Sequence, residues 1–433
     1  MKKPILDYNE LISKLYPEYP EGAYEVTFQV CDYCNLACTY CYQINKKHNS
    51  MKFEDAKKLI DKILDRDKSI VHYVDINNYA AIILDFIGGE PFLEVELMDK
   101  IVDYFKSQAL VKCPRLLKNF RISISSNGLL YFNPKVQAFI EKHLDNLSMN
   151  ITLDGSKELH DKCRFTVDGQ PTYDKVVSAI KDWFNRGRFM GSKVTLAPAN
   201  IMCLNEAVRH MIDLGYDEIH GNCVFEKGWG LKDAKIYYNE LKNLADYYLQ
   251  DKLYDKVYIS FFDEEKFKPM DESNNENYCG GTGKCLALSP NGKLYPCLRY
   301  MESSLGDSVE PYVIGDVDNG IAFTCEQCNK VECLKKITRR SQCTDECYYC
   351  PIGQGCSWCS GYNYQEFGTA NKRATYICEM HKAEALANVY FWNRYYKLEN
   401  INKHFPMYCP KEWAIPIIGE EEYNLLFDLS KEE

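Results

Sequence analysis

The sequence has no run of apolar residues long enough to cross a bilayer. Its longest, "YAAIILDFIGG" at 79–89, falls well short of the roughly 20 residues a spanning helix needs. The opening "MKKPILDYNE" has two lysines but no apolar stretch behind them, so it is not a secretory signal peptide. Positive charge is also in short supply. The net charge is −10, which argues against a broad face for nucleic acid. The eight histidines form no pair at metal-ligand spacing, and no internal repeat or low-complexity segment is present. These absences predict a cytoplasmic protein with neither a membrane nor a nucleic acid as partner. At 433 residues, 46% hydrophobic and 26% charged, the chain has the composition of a globular protein with two or three domains.

Cysteine, by contrast, is abundant and unevenly placed. Of 21 cysteines, four crowd into 31–41 and twelve lie between Cys279 and Cys378. Cys113, Cys163, Cys203 and Cys223 are scattered through helix or strand patterns, as small buried hydrophobes would be, and Cys409 stands near the end. A reducing cytosol disfavours a disulfide framework. Clustered thiols there point to metal, either iron–sulfur or zinc.

From residue 24 to about 225, apolar strands alternate with amphipathic helices. "YEVTFQV", "AAIILDFIGG", "FRISISSNG", "LSMNITLDG", "SKVTLAPA" and "EIHGNCV" read as six strands. "DAKIYYNELKNLADYYLQDKL" is the helix after the sixth, its tyrosine stripe being helix packing. Such alternation predicts an α/β fold with a parallel sheet and helices outside it, and ligands gather at the strand C-termini of such folds. After 278 the periodic segments vanish, which predicts a second domain held by metal. "HKAEALANVYFWNRYYKL" reads as a closing helix.

"CDYCNLACTYCY", residues 31–42, contains CxxxCxxC at Cys34, Cys38 and Cys41. Three thiolates on a four-iron cluster leave one iron open to a substrate or cofactor. With Cys31 added, a closed four-ligand zinc site is the alternative.

This stretch resembles the signature of the radical S-adenosylmethionine (SAM) enzymes. "FIGGEPFL", "SSNG", "ITLDG" and "HDKCR" follow in order and resemble the family's later motifs. The resemblance implies a partial (β/α)6 TIM-like barrel over 24–225, after an N-terminal segment 1–23. It implies that the open iron chelates the amino and carboxylate groups of SAM, which is reductively cleaved to a 5′-deoxyadenosyl radical. Gly88 and Gly89 would let backbone approach the ligand closely. Glu90 would accept from the SAM ammonium and Arg164 would pair with its carboxylate. Tyr40 would pack near adenine, and Asn127 and Thr152 would bond ribose or carboxylate.

Beyond a helical bridge at 226–278, the cysteines of 279–380 resemble the SPASM extension of these enzymes, a cysteine-rich auxiliary iron–sulfur domain, followed by a C-terminal helical tail at 381–433. The resemblance assigns Cys279, Cys285, Cys297 and Cys359 to one auxiliary four-iron cluster. Cys347, Cys350, Cys356 and Cys378 go to a second. The chain departs from the pattern in one place, a gap of two residues rather than three before Cys359. Cys325, Cys328, Cys333 and Cys343 remain unassigned, as a further metal site or as reduced bystanders.

The texture from Cys347 to Cys378 resembles the maturases of ribosomally made peptides with Cys-x-x-x repeats. That implies a Cys-containing precursor peptide as partner, thioether crosslinks as product and an external electron donor such as flavodoxin or ferredoxin. Because 33 residues precede Cys34, either a separate protein binds the leader or the substrate is engaged without one. An anaerobic sulfatase-maturating enzyme, which makes formylglycine, shares this plan. A non-catalytic iron–sulfur electron carrier would not need the barrel motifs. Three clusters imply about twelve irons per anaerobically reconstituted chain. A reproducible content near four, with bound zinc, would contradict the auxiliary assignments.

Overall fold

In the first strand, β1 (Glu21–Gln29), Tyr24, Val26 and Phe28 are buried on one face while Glu25 and Thr27 occupy the other. This period of two sets an apolar face against helices and leaves a polar face inside. β1 pairs in parallel with β2 (Tyr79–Ile87), β2 with β3 (Phe120–Ser126) and β3 with β4 (Leu147–Ile151). Helices α1 (Phe53–Leu64), α2 (Val95–Lys112) and α3 (Pro134–His143) supply the intervening crossovers. Each turns a stripe into the core, such as Ala56, Leu59, Ile60 and Ile63 of α1. The computed structural model describes residues 1–2, 21–306 and 309–431. Most of the expected segment 1–23 therefore lies outside the described residues. No helix among those described is long and apolar enough to cross a membrane.

The six expected strands divide between two sheets. β5 (Ser192–Leu196) and β6 (Glu218–Cys223) pair in parallel with each other and with a short β7 (Tyr258–Ile259), not with β4. The barrel is thus partial. On its other side β1 pairs in parallel with β8 (Leu286–Leu288), through Val26 with Leu286 and Phe28 with Leu288. β8 continues into β9 (Lys293–Tyr295), β10 (Gly315–Asp316) and β11 (Gly320–Ile321), all antiparallel. The cysteine-rich segment therefore extends the first sheet, and one hydrophobic core runs through both halves. The change of texture at 279 marks where cysteines begin, not where the sheet ends.

Helix α4 (Leu231–Gln250) packs its tyrosine stripe inward, with Tyr237, Tyr238 and Tyr248 buried, against α5 (Cys378–Leu398). Phe391 of α5 is fully buried, stacked on Phe262 at 4.4 Å and on Tyr248 at 5.6 Å between ring centroids. Of the scattered cysteines, Cys163 and Cys223 are buried, but Cys113 and Cys203 are only half-buried at helix ends. Phe391→Ala is expected to cost about 3–5 kcal/mol of stability, the usual range for emptying a large aromatic site. Thermal or denaturant unfolding of the reconstituted protein measures it, and a loss below about 1 kcal/mol would show that the stack does not fasten α5.

Candidate cofactor sites

The chain leaves β1 through Cys31 and turns into the cysteine loop beside the C-terminus of β2. Gly89 N–H donates to Cys31 O at 3.1 Å and Glu90 N–H to Tyr33 O at 3.0 Å. A Cβ on Gly89 would lie 2.0 Å from Tyr33 O, and one on Gly88 2.8 Å from Cys31 Sγ. The two glycines therefore let the cysteine loop pack directly against the end of β2. The loop's far side is tied to the segment after "HDKC". Ala37 N–H donates to Phe165 O, Thr39 N–H to Cys163 O and Val167 N–H to Asn35 O.

Cys34, Cys38 and Cys41 are half-buried on this loop. Burial raises the thiol pKa of Cys34 and of Cys38, a shift that a bound metal would reverse by taking the thiolate. Cys34 Sγ also accepts from Leu36 N–H at 3.3 Å. Cys31 differs. It is fully buried, and its thiol faces the carbonyls of Glu90 (3.3 Å) and Tyr33 (3.5 Å) beneath the glycines. It is a core thiol and does not complete a zinc quartet.

The polar residues around the loop are tied to one another and to the strand ends. Glu90 is 1% exposed, and its carboxylate already accepts from Ser126 Oγ (2.8 Å), Asn127 N–H (2.8 Å) and Phe92 N–H (3.1 Å). It fastens the ends of β2 and β3 together, and burial pushes its pKa up to about 7. Asn127 Nδ2 donates to Asn35 Oδ1 at 2.8 Å and lies 3.7 Å from Cys34 Sγ, so Asn127 steadies the cysteine loop. Thr152, just beyond β4, donates its N–H to Ser126 O.

Arg164 Nε donates to Asp154 Oδ2 at 3.0 Å and Tyr40 OH at 2.7 Å. Tyr40 OH also donates to Asp154, and the guanidinium lies over the Tyr40 ring at 5.4 Å. Tyr40 is therefore a brace for Arg164. With Nε held, the terminal amino groups of Arg164 have no hydrogen bond among the described residues. The sequence argument passed over Asp154, two positions beyond Thr152, because spacing gives no reason to prefer it. Its Oδ1 is buried without a partner.

Further along, the structure brings Cys279, Cys285, Cys297 and Cys359 together. Burial raises the Cys297 pKa well above the ordinary range, and negative charge on Cys359, Cys279 and Cys285 adds to it. Gly280 and Gly281 make the room: a Cβ would meet Cys285 Sγ at 2.3 Å from the first and Cys297 Sγ at 3.1 Å from the second. Cys359 caps the helix Ser360–Phe367, accepting from Tyr362 N–H at 3.4 Å.

Cys347, Cys350, Cys356 and Cys378 form a second group, in which Cys356 and Cys378 are raised first by burial and then by neighbouring thiols. Cys343 joins this group, its Sγ 3.6 Å from that of Cys347. Cys325, Cys328 and Cys333 instead lie exposed on the helix Cys325–Lys335.

Residues 28–200 match the family model described as the Radical SAM superfamily. The chain carries a radical SAM domain. It is 27% identical over 280 residues to the uncharacterised protein MJ0907 of Methanocaldococcus jannaschii, covering 64% of this chain and 85% of that protein. It is 27% identical over 300 residues to the cysteine-type anaerobic sulfatase-maturating enzyme of Clostridium perfringens (strain ATCC 13124), covering 62% and 72%. It is 22% identical over 375 residues to the subtilosin biosynthesis protein AlbA of Bacillus subtilis, covering 84% and 72%. Among solved structures, anSMEcpe with bound AdoMet and the Kp18Cys peptide has the same fold, at a TM-score of 0.61 and 18% identity over 88% of this chain and 99% of that one. The protein is a radical SAM enzyme related to peptide and sulfatase maturases, a family that uses a four-iron cluster and SAM.

The residues present fit those groups. Three half-buried thiols sit on a loop held from both sides, with a guanidinium whose free edge adjoins them and an unpartnered carboxylate oxygen behind it. Gly89→Ala, which pushes a methyl group into Tyr33 O, is expected to remove about four irons per chain and abolish SAM cleavage. Full iron content with normal 5′-deoxyadenosine release would show that the close backbone contact is dispensable.

Proposed function

We propose that the enzyme forms thioether bonds in a cysteine-containing, ribosomally made peptide. In this assignment Cys34, Cys38 and Cys41 hold the SAM-binding cluster, Cys279, Cys285, Cys297 and Cys359 one auxiliary cluster, and Cys347, Cys350, Cys356 and Cys378 the other. When bound, SAM and its cluster supply a 5′-deoxyadenosyl radical able to take a hydrogen atom from the peptide.

The observation that carries this reading is the polar inner face of the partial barrel. It runs from the SAM end of the strands to the first auxiliary group. Thr27 Oγ1 donates to Asp85 at 3.2 Å across the β1–β2 register, and burial pushes the Asp85 carboxyl up to about 6. Negative charge on Glu25 and Asp85 acts on Cys285 at the barrel's other end. Lys193 of β5 has its exposed surface inside the barrel, where the walls desolvate it enough to lower its pKa while Cys359 acts in the opposite sense. A peptide in this interior would reach both the radical and an auxiliary thiolate group. In this reading Asp85 would take the proton of a substrate thiol and Lys193 would favour its thiolate. External electrons would come from a flavodoxin or ferredoxin.

The alternative product is formylglycine, favoured by the likeness to the sulfatase-maturating enzyme. Mass spectrometry separates the two. With a Cys-x-x-x precursor, SAM and reductant, each thioether removes two hydrogens, a loss of about 2 Da, and leaves that sulfur closed to alkylation. Formylglycine made from cysteine loses sulfur and about 18 Da instead. Steps of about 2 Da with matching loss of alkylatable cysteine are the expected result. Unchanged peptide alongside 5′-deoxyadenosine formation would exclude this substrate class.

A further inference from the structure

Arg373 stands among the thiols of the second auxiliary group. Its Nη2 donates to Cys356 Sγ at 2.9 Å and to Cys356 O at 3.1 Å, and its Nη1 reaches Cys343 Sγ at 3.8 Å. The guanidinium lies 4.3 Å over the Trp358 ring. The Arg373 backbone N–H is fixed on Gln342 O at 3.0 Å. No carboxylate among the described residues pairs with this cation. Among the described residues no side-chain cation donates to a thiol of the first auxiliary group: Arg299, whose charge does act on Cys359, donates instead to Glu226 at 3.1 Å and lies over the Tyr42 ring.

A four-iron cluster becomes more negative by one charge when reduced. A fixed cation that donates to a ligand sulfur stabilises the reduced form more than the oxidised one, so it raises the reduction potential. Lysine would keep the charge but lose the planar fork that bonds and stacks at once.

We infer that Arg373 is a positioning residue that raises the potential of the second auxiliary cluster, so that of the two auxiliary clusters this one holds an electron more readily. The inference rests on the assignment of Cys347, Cys350, Cys356 and Cys378 to a cluster. The test compares the anaerobically reconstituted wild-type enzyme with Arg373→Gln and Arg373→Lys, by iron content and by redox titration followed with electron paramagnetic resonance. About twelve irons are expected in all three proteins. In Arg373→Gln the reduced-to-oxidised ratio of one cluster at a fixed applied potential should fall at least tenfold, about 59 mV for one electron, with the other two clusters unmoved. Arg373→Lys should show a smaller fall in the same cluster.

An unaltered ratio in Arg373→Gln at full iron content would overturn the inference. So would loss of about four irons in both variants, which would make Arg373 a structural support only. A wild-type content of about eight irons is a separate failure, since it removes the cluster assignment itself and the inference with it.

Discussion

Backbone packed against backbone at one point fixes the active end of this molecule. Gly89 lies so close to Tyr33 and Cys34 that a single methyl group has no room, and the two segments exchange hydrogen bonds there. The cysteine loop is thereby registered to the end of β2. Glu90, the next residue, anchors β2 to β3 through two buried hydrogen bonds, from Ser126 and Asn127. Asn127, at the end of β3, returns to Asn35 beside Cys34. Three segments distant in sequence are thus locked together around the three thiols, and the Cys163–Val167 segment closes the ring from the other side.

Much of this was legible in the sequence, because its strongest signals are local. The six strands and their helices follow from alternating apolar runs. The two auxiliary groups were implied by the resemblance to the SPASM extension, and the structure gathers the same cysteines into two separate groups of thiols. The shorter gap before Cys359 does not stop it from facing Cys279 and Cys297, since its position at a helix start turns the sulfur back. What the sequence could not show was which strands meet. Nothing local says that β4 and β5 remain apart, or that β8 joins β1, because both outcomes depend on contacts between residues far apart in the chain.

The polar residues were harder still. The motifs pointed to this neighbourhood, and the fold adds the protein partners that each side chain holds there. Glu90 is enclosed, Tyr40 braces an arginine, and Asn127 holds a loop. Asp154 was passed over because an aspartate next to a turn glycine looks like ordinary turn chemistry. Its partnership with Tyr40 and Arg164 spans more than a hundred residues. Cys343 was unassignable for a similar reason, since only the fold sets it against Cys347 and Arg373.

In the proposed assignment Cys34, Cys38 and Cys41 hold a cluster with one iron open to SAM. Electron paramagnetic resonance of the reduced enzyme, with and without SAM, tests it directly. SAM binding at an open iron should change the signal of one cluster, and in Cys38→Ala that signal and its response should both be missing. A spectrum indifferent to SAM, or a SAM-responsive signal surviving in Cys38→Ala, would contradict it.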